Sequence, residues 1–312
     1  MPYFSVVIPL YNKETHFKRT LDLVLKQNFS DFEVIIINDG STDNSVKVVE
    51  SFSDERIRLF HQKNKGAAAA RNFGIEKAKA KYIALIDADD EWKENHLSTL
   101  KESIEKFPEA ALFTTNYSIK YNEDIIKPAR FSHFSLPKTA IKIKNYFKHS
   151  LADNLVWTSA VCFTKKSFLE LGGFNEEYLT GQDLDLWIRY VLSYEIVFHP
   201  EITMLYHKGI SDSLSKNKYE EIRLQLFTSY LEEENQNLYF KKYMDFKRYG
   251  IALRSKVNRN TITYRRAKNF IDFNNLSRKQ KVLLKLPVQL LQYLNSLREI
   301  AYKNTFFLKH FK

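Results

Sequence analysis

The sequence predicts an α/β fold in which a mostly parallel central sheet is flanked by helices, followed by a helical, basic C-terminal region. Through residue 90, short Val- and Ile-rich runs alternate with amphipathic stretches in βαβα order, the pattern that winds a parallel sheet. Polar segments rich in Asp, Asn and Gly follow those runs, at the carboxyl ends of the expected strands, where open α/β sheets build ligand sites. After residue 215 the alternation stops and Lys, Arg and aromatic residues dominate.

The elements follow in order. Residues 4–10 read as a first strand, and Phe17, Leu21 and Leu25 mark a helix face. A strand at 33–38 has a Val-Ile-Ile-Ile core; a helix around 46–52, a strand at 57–61, an Ala-rich helix near 67–79 and a strand at 82–86 come next. The pattern then becomes mixed, with a helix near 94–107, a strand near 110–119 and a polar, irregular stretch at 120–137. A strand-like run at 156–163, a helix from about 182 to 194, and strands near 196–198 and 202–207 complete a body expected to span 1–215. Residues 216–312 form the expected second region, helical and basic, for acceptor, membrane-surface or oligomer contacts.

With 312 residues and 44% hydrophobic content, the chain can bury a substantial core. Its single cysteine, Cys162, excludes an intrachain disulfide and a Cys-rich zinc site, which points to the interior of a cell. The N-terminus reads as a strand rather than a signal peptide, and no run reaches transmembrane length. The net charge of +11 is uneven: residues 1–215 carry −2 and residues 216–312 carry +13. A basic tail suits an anionic surface, membrane lipid or nucleic acid, and equally a solvated helix face.

The most informative segment is YIALIDADD at 82–90, an apolar run ending in Asp87, Asp89 and Asp90. Taken alone it divides between a cap for the next helix and a site for a divalent metal and phosphate. Other strand ends add Pro9, Tyr11 and Asn12, then Asn38-Asp39-Gly40-Ser41-Thr42-Asp43. An aromatic ring can stack on a base, a carboxylate can accept from a base N–H, and glycine permits close approach; the same residues also make ordinary turns and caps. Asn64-Lys65-Gly66-Ala67 and the residues through Gly74 set small side chains and Arg71 at a helix start. They suit close packing of helix on sheet, with Arg71 in reach of a base or phosphate or on a solvated face.

The ordered set VVIPLYN, NDGSTDNS, NKGAAAARNFGI, YIALIDADD and GGFNEEYLTGQDLDLW closely resembles the family 2 nucleotide-sugar glycosyltransferases of the GT-A fold, over about residues 3–215. The resemblance implies roles residue by residue. Pro9 and Tyr11 match the first nucleotide-contacting loop, Asp39 the base-reading carboxylate, and Arg71 a second contact near the base. Asp87, Ala88 and Asp89 match the Asp-X-Asp motif, with Asp87 on the ribose side and Asp89 on a metal, Mn2+ or Mg2+, that bridges the diphosphate. Asp183 matches the catalytic base, with Asp185 its nearest rival. Asp90 is then left to cap the following helix.

Near the base, Gln182 stands where the family commonly has Glu and is expected on the acceptor side, as is Trp187, whose helical spacing with Leu184 and Val191 also suits a core. Asn38 replaces one of a frequent acidic pair, and His207 is the candidate for a further metal contact or a structural histidine. The chemistry agrees: a departing nucleoside diphosphate gains charge that a hard cation stabilises, and an acceptor hydroxyl needs a carboxylate to take its proton.

The expected activity is inverting, metal-dependent transfer from a nucleotide-diphosphate sugar, expected to be a uridine diphosphate sugar, to a hydroxyl of a glycan or lipid-linked glycan in surface polysaccharide assembly. The expected compartment is the cytoplasm, with peripheral contact at the membrane. The stretch 279–312, interrupted by Pro287, suits an interfacial amphipathic helix or one packed on the body or on another copy of the chain. A nucleic-acid-binding protein and a noncatalytic nucleotide-sugar-binding module are the competing readings.

Overall fold

The computed structural model describes residues 1–208 and 219–303, with the backbone alone for 298–303. Strand β1 (Phe4–Leu10), helix α1 (Phe17–Leu25), β2 (Phe32–Asp39), α2 (Ser45–Glu50), β3 (Ile57–Gln62), α3 (Ala67–Lys77) and β4 (Tyr82–Leu85) follow the expected alternation. β1 pairs in parallel with β2 and β4, and β2 in parallel with β3. The strand period of two separates the side chains cleanly. Val6, Ile8 and Leu10 join Leu21 and Val24 of α1 on one face, whereas Val7, Ile35 and Ile37 meet Ala70 and Ile75 of α3 on the other.

Gly74 shows why α3 needs small residues. A Cβ there would stand 2.5 Å from Val7 Cγ1 and 3.1 Å from Ile37 Cγ1, closer than packed atoms tolerate. The Ala-rich pattern is thus a record of helix-on-sheet contact.

The second half of the body comprises β5 (Glu91–Trp92), α4 (His96–Lys106), β6 (Leu112–Asn122), β7 (Ile125–Pro128), β8 (Ile141–Lys142), α5 (Tyr146–His149), β9 (Val161–Thr164), α6 (Lys165–Glu170), α7 (Gln182–Ser193) and β10 (Ile196–His207). The sheet order is β3-β2-β1-β4-β9-β6-β10-β5, with β7 on β6 and β8 on β10. β6 and β10 are parallel, but β9 runs antiparallel between β4 and β6, so the sheet is mixed beyond β4.

Three local expectations change. The run at 156–163 forms a short 3-10 turn, Thr158–Ala160, before β9 begins. The stretch at 120–137 contains the end of β6 and the hairpin partner β7. The two strands expected at 196–198 and 202–207 are one, with register shifts around Pro200, because proline lacks the N–H that a regular ladder needs.

The C-terminal helices are α8 (Glu220–Thr228), α9 (Leu231–Asn235), α10 (Leu238–Val257), α11 (Thr261–Asn269), α12 (Arg278–Lys285) and α13 (Val288–Lys303). α10 docks on the body: Phe240 stacks on Phe147 at 4.2 Å, and Tyr243 and Met244 belong to the same apolar cluster as Val7 and Leu186. Arg248, fully buried, donates to both oxygens of Glu234 at 2.9 and 2.7 Å and to the Phe227 carbonyl, so its charge is matched where water is excluded. Pro287 falls in the break between α12 and α13, as its missing donor requires. Among the described residues no helix is long and apolar enough to cross a membrane, and the end of the expected amphipathic segment, 304–312, lies outside them.

Candidate active site

A cleft of about 630 Å³ opens at the carboxyl ends of β1, β2 and β4 and is closed on its far side by the start of α7 and by α8. Pro9, Tyr11, Asp39, Arg71, Asp87, Ala88, Asp89, Gln182, Asp183 and His207 all line it. Residues more than 170 positions apart therefore meet in one cleft, which the crossover topology achieves.

Tyr11 is 46% exposed, leaving its ring face open for stacking. Asp39 is buried and held by three donors: Gln62 Nε2 at 2.7 Å and Lys65 N at 2.8 Å to Oδ1, and Gly66 N at 2.9 Å to Oδ2. It thereby fixes the loop that leads into α3. Gly40, at φ +73°, lets the chain turn there; a Cβ would come within 2.9 Å of Asn64 N. The Asp-Gly-Ser-Thr-Asp stretch is a turn as well, since Asp43 accepts from the amides of Glu14 and Ser45 and ties the first two strand ends together.

The acidic strand end separates into three environments. Asp87 Oδ1 accepts from Arg71 Nη2 at 2.5 Å, and Asp89 Oδ2 faces Lys13 Nζ at 2.8 Å. Arg71 is buried with Nε and Nη1 unpartnered, so two of its donor atoms are left for a ligand. Asp90 does not cap a helix. It turns inward, accepting from Ser159 Oγ at 2.5 Å and the His207 backbone N–H at 3.2 Å, while the N-cap of α4 is Asn95, which makes no side-chain capping bond. Burial, reinforced by Asp89 and Asp87, pushes the Asp90 carboxyl well above the usual range.

His207 reaches the cleft, but its Nε2 lies 2.5 Å from Glu91 Oε1, whose other oxygen meets Arg19 Nη2 at 2.8 Å. One ring nitrogen is therefore committed to a hydrogen bond with a protein carboxylate. On the far wall, Asp183 stands in the first turn of α7 after Gly181, at φ +82°, and accepts from Thr158 Oγ1 at 3.2 Å. Asp185 is committed elsewhere: Arg189 binds Oδ2 at 2.6 Å and the Tyr230 hydroxyl binds Oδ1 at 2.6 Å. Of the two rivals, only Asp183 lines the cleft.

Trp187 corrects the acceptor-side expectation. It is 2% exposed, packed among Phe163 and Phe174, and does not line the cleft; its Nε1 donates to Thr158 Oγ1 at 3.4 Å. Trp157, against Tyr206 at 4.5 Å, lines the cleft instead. Gln182 is buried at the wall with Oε1 unpartnered. Lys13, Thr158, Arg223 and Phe227 were not foreseen. Lys13 adjoins the first motif and was open to notice, whereas Arg223 and Phe227 come from α8, whose run EEIRLQLFT carries no ligand-site motif.

The sequence pattern described as glycosyl transferase family 2 matches residues 5–166. The chain belongs to that family. Glycosyltransferase GlyG of Streptococcus pneumoniae serotype 4 is 42% identical over 123 residues, 38% of this chain and 40% of GlyG. The putative colanic acid biosynthesis glycosyl transferase WcaA of Escherichia coli K12 is 32% identical over 62% of this chain and 67% of WcaA. The crystal structure of S. aureus TarS 1-349 in complex with UDP-GlcNAc superposes with TM-score 0.69 over 90% of this chain and 83% of that one, at 17% identity. At that identity the likeness establishes the GT-A fold of this family 2 chain. The chain spans between about a quarter and two fifths of the first curated relatives it matches.

The donor set of this family 2 chain bears on the expected metal. Among the described residues, no three His, Cys, Asp or Glu side chains group closely enough to hold a metal ion alone. Asp89, with Asp87 beside it in sequence, suits a hard cation that takes most of its oxygens from substrate phosphate and water. The Lys13 ammonium on Asp89 shows that this carboxylate already attracts a cation.

Proposed function

We propose that the protein is an inverting glycosyltransferase that moves a sugar from a uridine diphosphate donor to a hydroxyl of a glycan or lipid-linked glycan during surface polysaccharide assembly. The observation that carries this reading is the placement of Asp183 across one cleft from Asp87 and Asp89, with Asp185 tied to Arg189 and Tyr230. The UDP-GlcNAc complex of TarS supports the donor class, and the name of WcaA supports the glycan context.

Tyr11 receives the base, while Asp39 reads its edge and Arg71 makes a second contact beside it. Asp87 addresses the ribose, and Asp89 would hold Mn2+ or Mg2+. When bound, the cation neutralises charge that develops on the departing diphosphate. Asp183 takes the proton of the attacking hydroxyl, and Thr158 keeps its carboxylate aimed. Attack from the far wall displaces the nucleotide in one step, which inverts the anomeric centre.

A donor and acceptor screen with manganese tests the reading. Wild type should transfer sugar, Asp183→Asn should bind UDP but fail to turn over, and Asp89→Asn should lose its response to metal. Undiminished transfer by Asp183→Asn overturns the base assignment.

Peripheral membrane contact belongs to the same proposal. Leu290, Tyr293, Leu294 and Leu297 are each at least 41% exposed and recur at helical spacing on α13. Lys281 and Lys285 lie just upstream on α12. An apolar stripe beside cations suits the cytoplasmic face of an anionic bilayer, where a lipid-linked acceptor would be met.

A further inference from the structure

The two ends of the cleft differ in how their cations are matched. At the donor end, Lys13 faces Asp89 and Arg71 faces Asp87. At the other end, Arg223 of α8 lines the cleft near Asp183, and its Nε and Nη2 lie 3.3 and 2.9 Å from the hydroxyl of Thr180. Among the described residues no carboxylate forms an ion pair with it.

This guanidinium is costly as it stands. Burial makes its charged form less favourable and Arg254 adds repulsion, while Glu220 and Asp183 offset part of that at longer range. A planar fork of five donors served by one hydroxyl retains most of its capacity for an oxyanion.

Its neighbours on the wall are also incomplete. Asn154 accepts through Oδ1 from the Tyr243 hydroxyl and from Lys247 Nζ, both at 3.1 Å, leaving the amide N–H groups to donate. Gln182 Oε1, in a residue 6% exposed, has no donor among the described residues. A buried acceptor without a partner calls for a hydroxyl or N–H from a ligand. The wall therefore offers donors for an anion and one acceptor for a hydroxyl, next to the residue assigned as base.

We propose that Arg223 binds a phosphate or carboxylate carried by the acceptor glycan, while Gln182 Oε1 accepts from one of that glycan's hydroxyls. The proposal rests on Asp183 marking the acceptor side of the cleft. It makes the enzyme selective for anionic glycans, and it gives α8 a direct part in acceptor choice. The donor diphosphate is the other source of the same oxyanion chemistry, so the test separates the two.

NMR titrations compare methyl glucoside 6-phosphate and methyl glucuronide with neutral methyl glucoside, using saturating UDP at the donor end and no divalent metal. Wild type should bind the two anionic probes about tenfold more tightly than the neutral one. Arg223→Gln, which keeps a hydrogen bond to Thr180 within reach, should erase that preference, and Arg223→Lys should retain part of it. Calorimetric UDP affinity should change less than twofold in either variant. Equal binding of anionic and neutral probes by wild type overturns the proposal. So does a loss of UDP affinity in Arg223→Gln matching the loss for the anionic probes, since that assigns the guanidinium to the donor. Failure of the transferase reading is seen separately, as absence of UDP binding and turnover in wild type.

Discussion

Thr158 Oγ1 lies 3.2 Å from Asp183 Oδ2 and 3.4 Å from Trp187 Nε1, so one hydroxyl joins a cleft carboxylate to a buried indole. The indole N–H donates to the hydroxyl, and the hydroxyl donates to the carboxylate. Trp187 thus acts on the cleft through Thr158 rather than by touching an acceptor.

Replacing Thr158 with Val removes the donor while keeping the shape. We expect kcat to fall about tenfold, in keeping with loss of one hydrogen bond to a charged group, with UDP affinity unchanged. Thr158→Ser should keep most of the activity. Steady-state kinetics beside UDP calorimetry check this; an unaltered kcat in Thr158→Val would show that Asp183 needs no such support.

Lys13 sits on Asp89 and would compete with a divalent cation proposed to bind there. Lys13→Met should therefore raise Mn2+ affinity in the absence of nucleotide, by about threefold to tenfold, on the scale of a partly exposed ion pair. Electron paramagnetic resonance of free Mn2+ reads this directly, and weaker binding would contradict it.

Gly74→Ala forces α3 away from Val7 and Ile37. Overpacking of this kind costs about 1–3 kcal/mol, and urea denaturation should show it as a lower midpoint with an unchanged slope. A midpoint equal to wild type would mean that the helix shifts at no cost.

His96 is fully buried, stacked on Trp92 at 4.1 Å, and pushed by burial down to about 3. With the Thr203 hydroxyl donating to Thr115, Nδ1–H donates to Thr203 and Nε2 has no partner. The unfolded chain therefore takes up a proton near pH 6.5 that the folded one refuses until about 3. Stability is lost as pH falls through that window. His96→Phe should flatten the loss in acid titrations followed by fluorescence, and an unchanged acid transition would remove His96 as a cause.

The α13 stripe predicts lipid binding. Full-length protein should co-sediment with vesicles containing phosphatidylglycerol and less with neutral phosphatidylcholine vesicles. Leu290→Ser combined with Leu294→Ser should reduce binding several-fold. Equal recovery of wild type and variant with the anionic vesicles would locate the contact elsewhere.

The strand-end side of the cleft was legible because its residues sit in short motifs at strand ends. Asp39, Asp87 and Asp89 each follow an apolar run, and the structure brings all three to one cleft. For Trp187 the helical spacing with Leu184 and Val191 pointed to the core it occupies, while its nearness in sequence to Asp183 suggested the acceptor side; nearness in sequence does not say which face of α7 meets the cleft. Asp90 was misread because an Asp-rich turn before a helix resembles a cap whether or not its carboxylate turns inward to Ser159.

The sequence by itself determined the strand and helix alternation, the family and the motif residues that line one end of the cleft, since these depend on local pattern and on motif spacing. Tertiary structure decided the antiparallel insertion of β9, the separation of Asp183 from Asp185, and the arrival of Arg223 beside them. Those three outcomes depend on which distant side chains and strands take up each hydrogen bond and charge, and chain order carries no record of that competition.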